Sequence, residues 1–265
     1  MATRPSRAAP RAAALAAYVL HRYDWSESSL ILDLFTRELG RVAVAAKGAK
    51  RPYSQLRSVL LPFQRITIGL GRAARDDASA EVQTLRSAEW AGGAAMLTGA
   101  ALFSGFYLNE LLMKLLARHD PHPALFEIYA QTLPALAARD DALTESALRA
   151  FELSLLREIG VLPDLSLVTL TQQPVQGDHR YALHVDAGVV DGRGLDGGLT
   201  GTAMTGLQAA LEHGSLAALQ QACIGSLAEL KATLRAQIQH QLGSTSLRTR
   251  RVMLELQTLQ MEPST

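Results

Sequence analysis

The stretch LGRVAVAAKGAKRPYSQLRSVLLPFQRITIGLGRAAR (residues 39–75) combines two strand-like apolar runs with a concentration of positive charge. The runs VAVAA (42–46) and ITIGL (66–70) are short and rich in β-branched or small apolar residues, which predicts strands. The stretch contains no Asp or Glu, and its cations are Arg41, Lys47, Lys50, Arg51, Arg57, Arg65, Arg72 and Arg75. A folded surface that carries cations without neighbouring carboxylates favours binding of a polyanion. The plainer alternative is a solvated basic surface without a partner.

Within this stretch and on both sides of it, the pattern predicts short strands. Strands are predicted over residues 17–23, 28–36, 41–47, 62–70 and 81–89. Gly40 provides a turn before the third strand, and GRAARDDASA (71–80) forms the tip of the hairpin between the last two. Five short strands in this arrangement suit a small barrel, and the five-stranded oligonucleotide-binding (OB) barrel is the leading candidate. A five-stranded SH3-like barrel is the competing one.

Beyond residue 90 the spacing of the apolar residues changes from that of strands to that of helices. Helices are predicted over residues 96–119, 124–139, 142–160, 215–242 and 246–259. The segment 163–202 is rich in Pro, Gly, Asp and Thr and contains one strand-like run, YALHV (181–185). Its glycine-dense part, 188–201, is predicted to be a mobile loop.

The predicted fold class is therefore α+β, with an N-terminal five-stranded OB-type β-barrel followed by an α-helical domain. Its predicted parts are a flexible N-terminal arm (1–15), an OB-fold DNA-binding domain (16–90) and a helical domain (91–265) with a glycine-rich, cysteine-free insert (163–202).

The charge of the chain is unevenly distributed, although its net charge is only +1. Residues 1–90 contain 14 Lys and Arg against 8 Asp and Glu, whereas residues 91–265 contain 12 against 17. A basic first part suggests nucleic acid or an acidic surface as the partner.

The single cysteine, Cys223, excludes an internal disulfide and a thiolate zinc cage. The most apolar segment, 100–116, is too short and too polar to span a bilayer. We therefore expect a cytoplasmic protein that binds neither membrane nor metal.

Motifs of catalysis are absent from the sequence. It contains no GxxxxGK[ST] phosphate loop, no GxGxxG between a predicted strand and a predicted helix, and no GxSxG or HExxH motif. His119 and His122 are separated by Pro121, and surface or capping roles suit them better than metal ligation. Because no acid, base and nucleophile come together, we expect a binding protein that is not an enzyme and needs no cofactor.

The candidate DNA ligands are cations of the first stretch and an aromatic ring. They are Arg41, Lys47, Lys50, Arg51, Arg57, Arg65 and Tyr53. Four of the cations crowd one predicted loop, where they would contact phosphates. Tyr23, Trp25 and Tyr53 lie in turns or loops, and an exposed ring there could stack on a base. Phe35 and Phe63 lie in apolar strand contexts and are predicted to be core residues.

Several strings of the sequence, taken in order, resemble the RecO family of bacterial DNA repair and recombination mediators. In the first part these strings are AYVLHRYDWSESSLILDLFTRELGRVAVAAKGAKRPYS (17–54), LLPF (60–63) and QTLRSAEW (83–90). In the helical part they are SGFYLNELLMKLL (104–116), LFEIYAQTL (125–133), LRAFELSLLREIG (148–160) and LGSTSLRTRRVMLEL (242–256). No single string is diagnostic, but the ordered set is, and it covers the chain from about residue 16 to residue 257.

The resemblance implies an OB barrel, a helical domain and a role without catalysis. That role is to bind single- and double-stranded DNA, to anneal complementary strands, and to help load RecA onto strands coated by the single-stranded DNA-binding protein. The implied partners are RecR and the C-terminal tail of the single-stranded DNA-binding protein. Some family members carry a four-cysteine zinc module in the segment that matches 163–202. This chain has no cysteine there, so we expect no zinc.

The resemblance also implies a site for that acidic tail in the helical domain. Arg149 matches an arginine that the family uses in LRxFEL, and Leu148 and Phe151 are its apolar neighbours. The net negative charge of this half means that a specific cation is needed. The alternative is a surface Arg149 that merely pairs with Glu145 or Glu152 on its own helix. For the whole chain, the rival function is a protein-interaction adaptor whose basic barrel binds an acidic protein instead of DNA.

Overall fold

The computed structural model of the chain describes residues 14–71, 82–93, 96–138, 140–192, 198–243 and 247–261. Most of the predicted arm (1–15) and most of the predicted hairpin tip (71–80) lie outside the described residues. The chain divides into two compact units, one ending at residue 94 and one beginning at residue 95, and each is treated by itself.

The described part of the first unit forms a closed five-stranded barrel. Its strands are β1 (Leu15–Asp24), β2 (Leu30–Thr36), β3 (Gly40–Ala46), β4 (Arg65–Leu70) and β5 (Val82–Trp90), and a short helix, α1 (Leu56–Val59), lies between β3 and β4. The strand order is β1-β2-β3-β5-β4, and β4 pairs with β1 to close the barrel. β3 and β5 pair in parallel, whereas the other pairs are antiparallel. This arrangement is the OB type, which confirms the leading prediction over the SH3-like alternative.

The barrel interior is filled by apolar side chains from its strands. Val19, Leu34, Val44 and Ile66, which come from four different strands, are each fully buried. Burial of such side chains stabilises the fold by about 1.5–3 kcal/mol each. Phe35 and Phe63 are also buried, as predicted. The core therefore occupies the barrel interior.

The second unit contains seven further helices and a small sheet within the described residues. The helices are α2 (Ala100–Leu115), α3 (Pro123–Ala137), α4 (Asp141–Glu158), α5 (Gly201–His213), α6 (Leu216–Ile224), α7 (Leu227–Leu242) and α8 (Arg248–Met261). The sheet has the strands β6 (Arg180–His184), β7 (Gly188–Asp191) and β8 (Leu199–Thr200), in the order β7-β6-β8. α4 is the central helix, because it packs against α3, α6 and α7. Leu143 N donates to the Asp140 side chain at 3.0 Å, so Asp140 caps α4, which begins one residue before the predicted start at 142.

Two predictions for this unit are wrong. The glycine-dense segment 188–201 is not simply a loop, because its described residues include β7 and β8, which pair with β6 on either side. The predicted helix 215–242 is two helices, since α6 ends at Ile224 and α7 begins at Leu227, with Gly225 and Ser226 between them. Helix α5 was not predicted at all. In the described part of the chain, no helix is long and apolar enough to cross a membrane.

Candidate nucleic-acid interface and helical cavity

The loop between β3 and α1 is held against the turn between β1 and β2. Lys50 N donates to the Ser28 carbonyl at 2.9 Å, and Gly48 N donates to Ser29 Oγ at 3.4 Å. Gly48 has a φ of 72°, a left-handed conformation that side chains rarely adopt. These bonds place the cations of the loop beside the end of β1.

The predicted DNA ligands occupy two kinds of position. Lys47, Arg51, Arg57 and Tyr53 are exposed, and Lys50 is half-buried. Arg41 and Arg65 lie instead on β3 and β4, opposite Phe35 and Tyr18, and both are partly buried. The loop cations and the two strand cations therefore do not form one continuous row of equally exposed groups.

A cavity of about 550 Å³ lies between β1, the loop and α1. Its lining residues are Arg22, Asp24, Leu30, Ala49, Lys50, Arg57 and Leu60. Arg22 was missed in the sequence because it lies on a strand outside the basic stretch. Its Nη1 donates to the Leu60 carbonyl at 3.3 Å, which holds its guanidinium at the cavity wall. Among the described residues, three cations and one carboxylate thus surround a space large enough for part of a nucleotide.

The carboxylate of the cavity corrects the view that the basic stretch has no neighbouring acid. Asp24, at the end of β1, accepts from Lys50 Nζ at 3.2 Å. The Asp24 side chain is 80% exposed and that of Lys50 is 30% exposed. A largely solvent-accessible ion pair of this kind contributes roughly 0–1 kcal/mol to stability. Lys50 can therefore exchange Asp24 for another anionic partner.

Three aromatic residues that lie within a few residues of the cavity-lining ones in sequence have exposed side chains. Tyr23 is 45% exposed, Trp25 56% and Tyr53 99%. Tyr23 makes an edge contact with His21, with ring centroids 4.4 Å apart. Aromatic rings beside cations are the combination that single-stranded nucleic acid uses, because bases stack on the rings while phosphates meet the charges.

The second unit has its own cavity, of about 410 Å³, between α2, α4, α7 and α8. Its lining residues are Ser104, Tyr107, Leu148, Arg149, Glu152, Ala228, Lys231, Ala232, Arg235, Ile238, Gln239, Leu247, Thr249, Arg250 and Met253. Four of these described residues are cations and one is a carboxylate, and the rest of the wall is largely apolar. Such a lining suits a ligand that carries both an anionic group and an apolar side chain.

Arg149 is a buried member of a hydrogen-bonded network at the base of this cavity. Arg149 Nη2 donates to Glu152 Oε1 at 2.7 Å, and the Tyr107 hydroxyl donates to the same oxygen at 2.7 Å. Burial, followed by the nearby Glu152 carboxylate, raises the pKa of Tyr107 well above its ordinary value. Burial also raises the pKa of Glu152, against the opposing charge of Arg149. Within the described residues, Arg149 Nε and Glu152 Oε2 have no hydrogen-bond partner.

The residues predicted for the acidic tail divide between the cavity and the core. Leu148 and Arg149 line the cavity, whereas Phe151 does not. Phe151 is fully buried and makes an edge contact with Tyr129, with ring centroids 6.2 Å apart, so its role is packing. Arg149 does pair with Glu152, but as a buried pair and not on the surface. Glu145 pairs with Lys231 at 3.0 Å.

One wall of the cavity, α8, is joined to α2 by hydrogen bonds to the Glu110 carboxylate. Glu110 accepts from the backbone N–H of Arg248 at 2.8 Å, from that of Thr249 at 2.9 Å, and from the Thr249 hydroxyl at 2.7 Å. Burial alone would raise the pKa of Glu110, but these bonds and the Lys114 ammonium hold it below its ordinary value. A carboxylate from another helix therefore caps the start of α8.

We expect this cap to be lost in acid. Because the pKa of Glu110 is lowered in the folded state, its contribution is complete above the ordinary value of 4.5 and disappears as the pH falls through the lowered one. Glu110→Gln should lower the free energy of unfolding by about 1.5–3 kcal/mol at pH 7, and the difference from wild type should shrink below pH 4.5. Urea denaturation at several pH values measures it. Glu212→Gln, at an exposed carboxylate, is the control, and a pH-independent difference would contradict the assignment.

Metal and thiol chemistry find no support in the described residues. Among them, no group of three or more His, Cys, Asp or Glu side chains is placed to hold a metal ion. Burial raises the pKa of the Cys223 thiol to about 12, so the thiol stays protonated at neutral pH.

The chain thus combines an OB-type barrel, which has a cavity lined by three cations, with a helical unit that has a cation-lined cavity of its own. Residues 13–93 match the model of the N-terminal domain of recombination protein O, and residues 96–251 match that of its C-terminal domain. The DNA repair protein RecO of Polaromonas sp. strain JS666 is 50% identical over 245 residues, which cover 92% of this chain and 96% of that protein. The RecO protein of Verminephrobacter eiseniae is 49% identical over 254 residues, covering 95% and 99%. The chain therefore belongs to the RecO family of DNA repair proteins, which confirms the resemblance found in the sequence.

Proposed function

We propose that this protein is a recombination mediator that binds single- and double-stranded DNA through its barrel, anneals complementary strands and helps load RecA onto strands coated by the single-stranded DNA-binding protein. The observation that carries the proposal is the cavity between β1, the β3–α1 loop and α1, which is lined by Arg22, Lys50 and Arg57. The name of the relatives, DNA repair protein, supports the same role. The role requires no bond to be made or broken, so no catalytic residue is assigned. We place its action in the cytoplasm, at the nucleoid.

The proposed mode of binding uses phosphates for affinity and rings for the bases. Lys47, Lys50, Arg51 and Arg57 contact phosphates, while Tyr53 and the neighbouring exposed rings stack on bases. Arg41 and Arg65 extend this interface along β3 and β4. Contacts to phosphates and ring faces carry little sequence information. A protein that holds strands in this way can bind any sequence, which is what annealing needs.

The proposed protein partners are RecR and the C-terminal tail of the single-stranded DNA-binding protein. The tail is acidic and ends in a hydrophobic residue and a carboxylate. In our proposal its carboxylate binds at Arg149 and its apolar side chain enters the cavity beside Leu148. The cations of α7 and α8 at the same cavity, Lys231, Arg235 and Arg250, would attract the acidic residues of the tail.

The function is tested by a gel-shift titration, which measures binding of single strands of several arbitrary sequences at several salt concentrations. The titration is repeated with the tail peptide present. We expect binding that weakens steeply with salt and is independent of sequence, together with faster annealing of complementary strands. Binding of the acidic peptide at the barrel, without binding of oligonucleotide, would instead establish the adaptor function.

A further expected result is that the protein needs no zinc. The insert 163–202 contains no cysteine, and its described residues are joined by hydrogen bonds such as Gln176 N to Tyr181 OH at 2.8 Å and Val189 N to Thr169 Oγ1 at 2.8 Å. Metal analysis should find far less than one zinc per chain, and a chelator should leave the melting temperature unchanged. Stoichiometric zinc would contradict this expectation and would require His and Asp ligands.

A further inference from the structure

The cavity between β1, the β3–α1 loop and α1 is lined by one carboxylate, that of Asp24. Asp24 accepts from Lys50 Nζ at 3.2 Å, and Arg22 and Arg57 line the same space. A phosphate that enters this space approaches the ammonium that the Asp24 carboxylate already occupies. Two anions that share one ammonium repel each other, which favours the departure of the more weakly held one.

We propose that Asp24 is an internal competitor of DNA: it holds Lys50 in the free protein and is displaced when a phosphate enters the cavity. The inference rests on the proposed DNA-binding function and adds to it the residue that limits affinity. Displacement is easy because the Asp24 side chain is 80% exposed and can turn into water. Arg22 and Arg57 line the same cavity, so a phosphate that enters it can be bound by three cations together.

Removing the charge of Asp24 leaves the loop in place. The Lys50 backbone N–H still donates to the Ser28 carbonyl, and the Gly48 N–H still donates to Ser29 Oγ. Neither bond involves the Asp24 side chain. Asp24→Asn is nearly isosteric, so it changes the occupancy of the ammonium and not the shape of the cavity.

The chain offers a matched control for the loss of one negative charge. Glu27 is exposed in the same turn, and it is not among the side chains that line the cavity. Glu27→Gln removes the same charge only three residues further along the chain. The comparison of the two variants therefore separates the ion pair from the general field of the surface.

The test measures the dissociation constant of a labelled single-stranded oligonucleotide by fluorescence anisotropy at low and at high salt. At low salt we expect Asp24→Asn to bind two- to fivefold more tightly than Glu27→Gln, the range that corresponds to one exposed ion pair. The difference should vanish near 1 M salt, where the screening length is about 3 Å. In a Lys50→Ala background, Asp24→Asn and Glu27→Gln should have equal effects, because the partner of Asp24 is gone.

Each result decides the matter. Equal affinities of Asp24→Asn and Glu27→Gln in the Lys50-containing protein would overturn the proposal, and weaker binding by Asp24→Asn would show that the ion pair supports the site. An advantage of Asp24→Asn that persists without Lys50 would also overturn it. If the wild-type protein shows no salt-dependent binding of oligonucleotide, the proposed function itself fails, which is a result distinct from all of these.

Discussion

Replacing Lys47, Lys50, Arg51 and Arg57 together by Ala should weaken binding of single-stranded DNA by about 10²–10³-fold at 0.1 M salt. Each phosphate contact on a single strand contributes about −0.7 to the slope of log K against log salt, so four contacts contribute about −3. Three of these side chains are exposed and Lys50 is half-buried in the loop, so none of them is needed for the barrel core. A salt titration of the quadruple variant should give a slope that is flatter by about three. The loss should be the same for every sequence.

The control for this variant removes four exposed cations from the second unit, Arg118, Arg235, Arg248 and Arg251. It lowers the net charge equally but leaves the barrel unchanged. We expect it to bind DNA within a few-fold of wild type. An unchanged slope in the loop variant would move the DNA site elsewhere, and an equal loss in both variants would indicate attraction by the whole charge and not by a site.

Replacing Arg149 alone by Ala should lower the free energy of unfolding by about 3–5 kcal/mol. The side chains of Arg149 and Glu152 are 8% and 1% exposed, and removal of one partner leaves the other charge buried and unpaired. Denaturant titration measures the loss. Lys231→Ala, which breaks the exposed pair with Glu145, is the control and should cost less than about 1 kcal/mol. A small loss for Arg149→Ala would show that water reaches the pair.

Tail binding therefore needs a variant that removes the guanidinium without leaving a buried charge. The double variant Arg149→Met with Glu152→Gln removes both charges of the buried pair, and the Gln side chain keeps an acceptor for the Tyr107 hydroxyl. It should remain folded and bind the tail peptide about ten- to a hundredfold more weakly, the value of a charge-assisted bond of about 1.5–3 kcal/mol. DNA binding by the barrel should stay near that of wild type. A folded double variant with full peptide affinity would contradict the role of Arg149.

The barrel could be predicted closely because its strands are short and patterned. The nearly continuous apolar run LILDLFT (30–36) and the left-handed Gly40 after it define a hairpin locally, and no distant residue is needed to recognise them. Helix α5 was missed for the opposite reason, since GTAMTGLQAALEH follows a glycine-dense segment and has weak helical propensity in its first turn. A local signal did exist: Thr200 caps the helix by accepting from Ala203 N at 3.2 Å. The break between α6 and α7 was likewise marked by Gly225 and Ser226.

The candidate sites were less predictable because they are assembled from distant parts of the chain. Asp24 and Arg22 reach the basic loop only after β1 is folded into the barrel, so a count of charges within residues 39–75 could not include them. Arg149 stands in a recognisable string, but Lys231 and Arg250 join it from α7 and α8. Nothing in the local pattern of those helices marks the side chains that face the cavity. Burial of Phe151 could have been inferred from its apolar neighbours on α4.

The parallel pairing of β3 with β5 affects how quickly the first unit folds. The hairpins β1-β2 and β2-β3 join neighbouring segments, and such hairpins form within roughly 1–10 μs. The seam of the barrel, by contrast, pairs Ala43 with Val82 and Leu15 with Ile68, and these contacts bear the entropy of closing long loops. Barrel closure is therefore expected to be the slow step of folding for this unit. The loop that carries Lys47 and Lys50 lies between β3 and β4, and each of these strands belongs to one of the two pairs that close the barrel. We therefore expect a newly synthesised chain to acquire its proposed DNA-binding surface only at the end of folding.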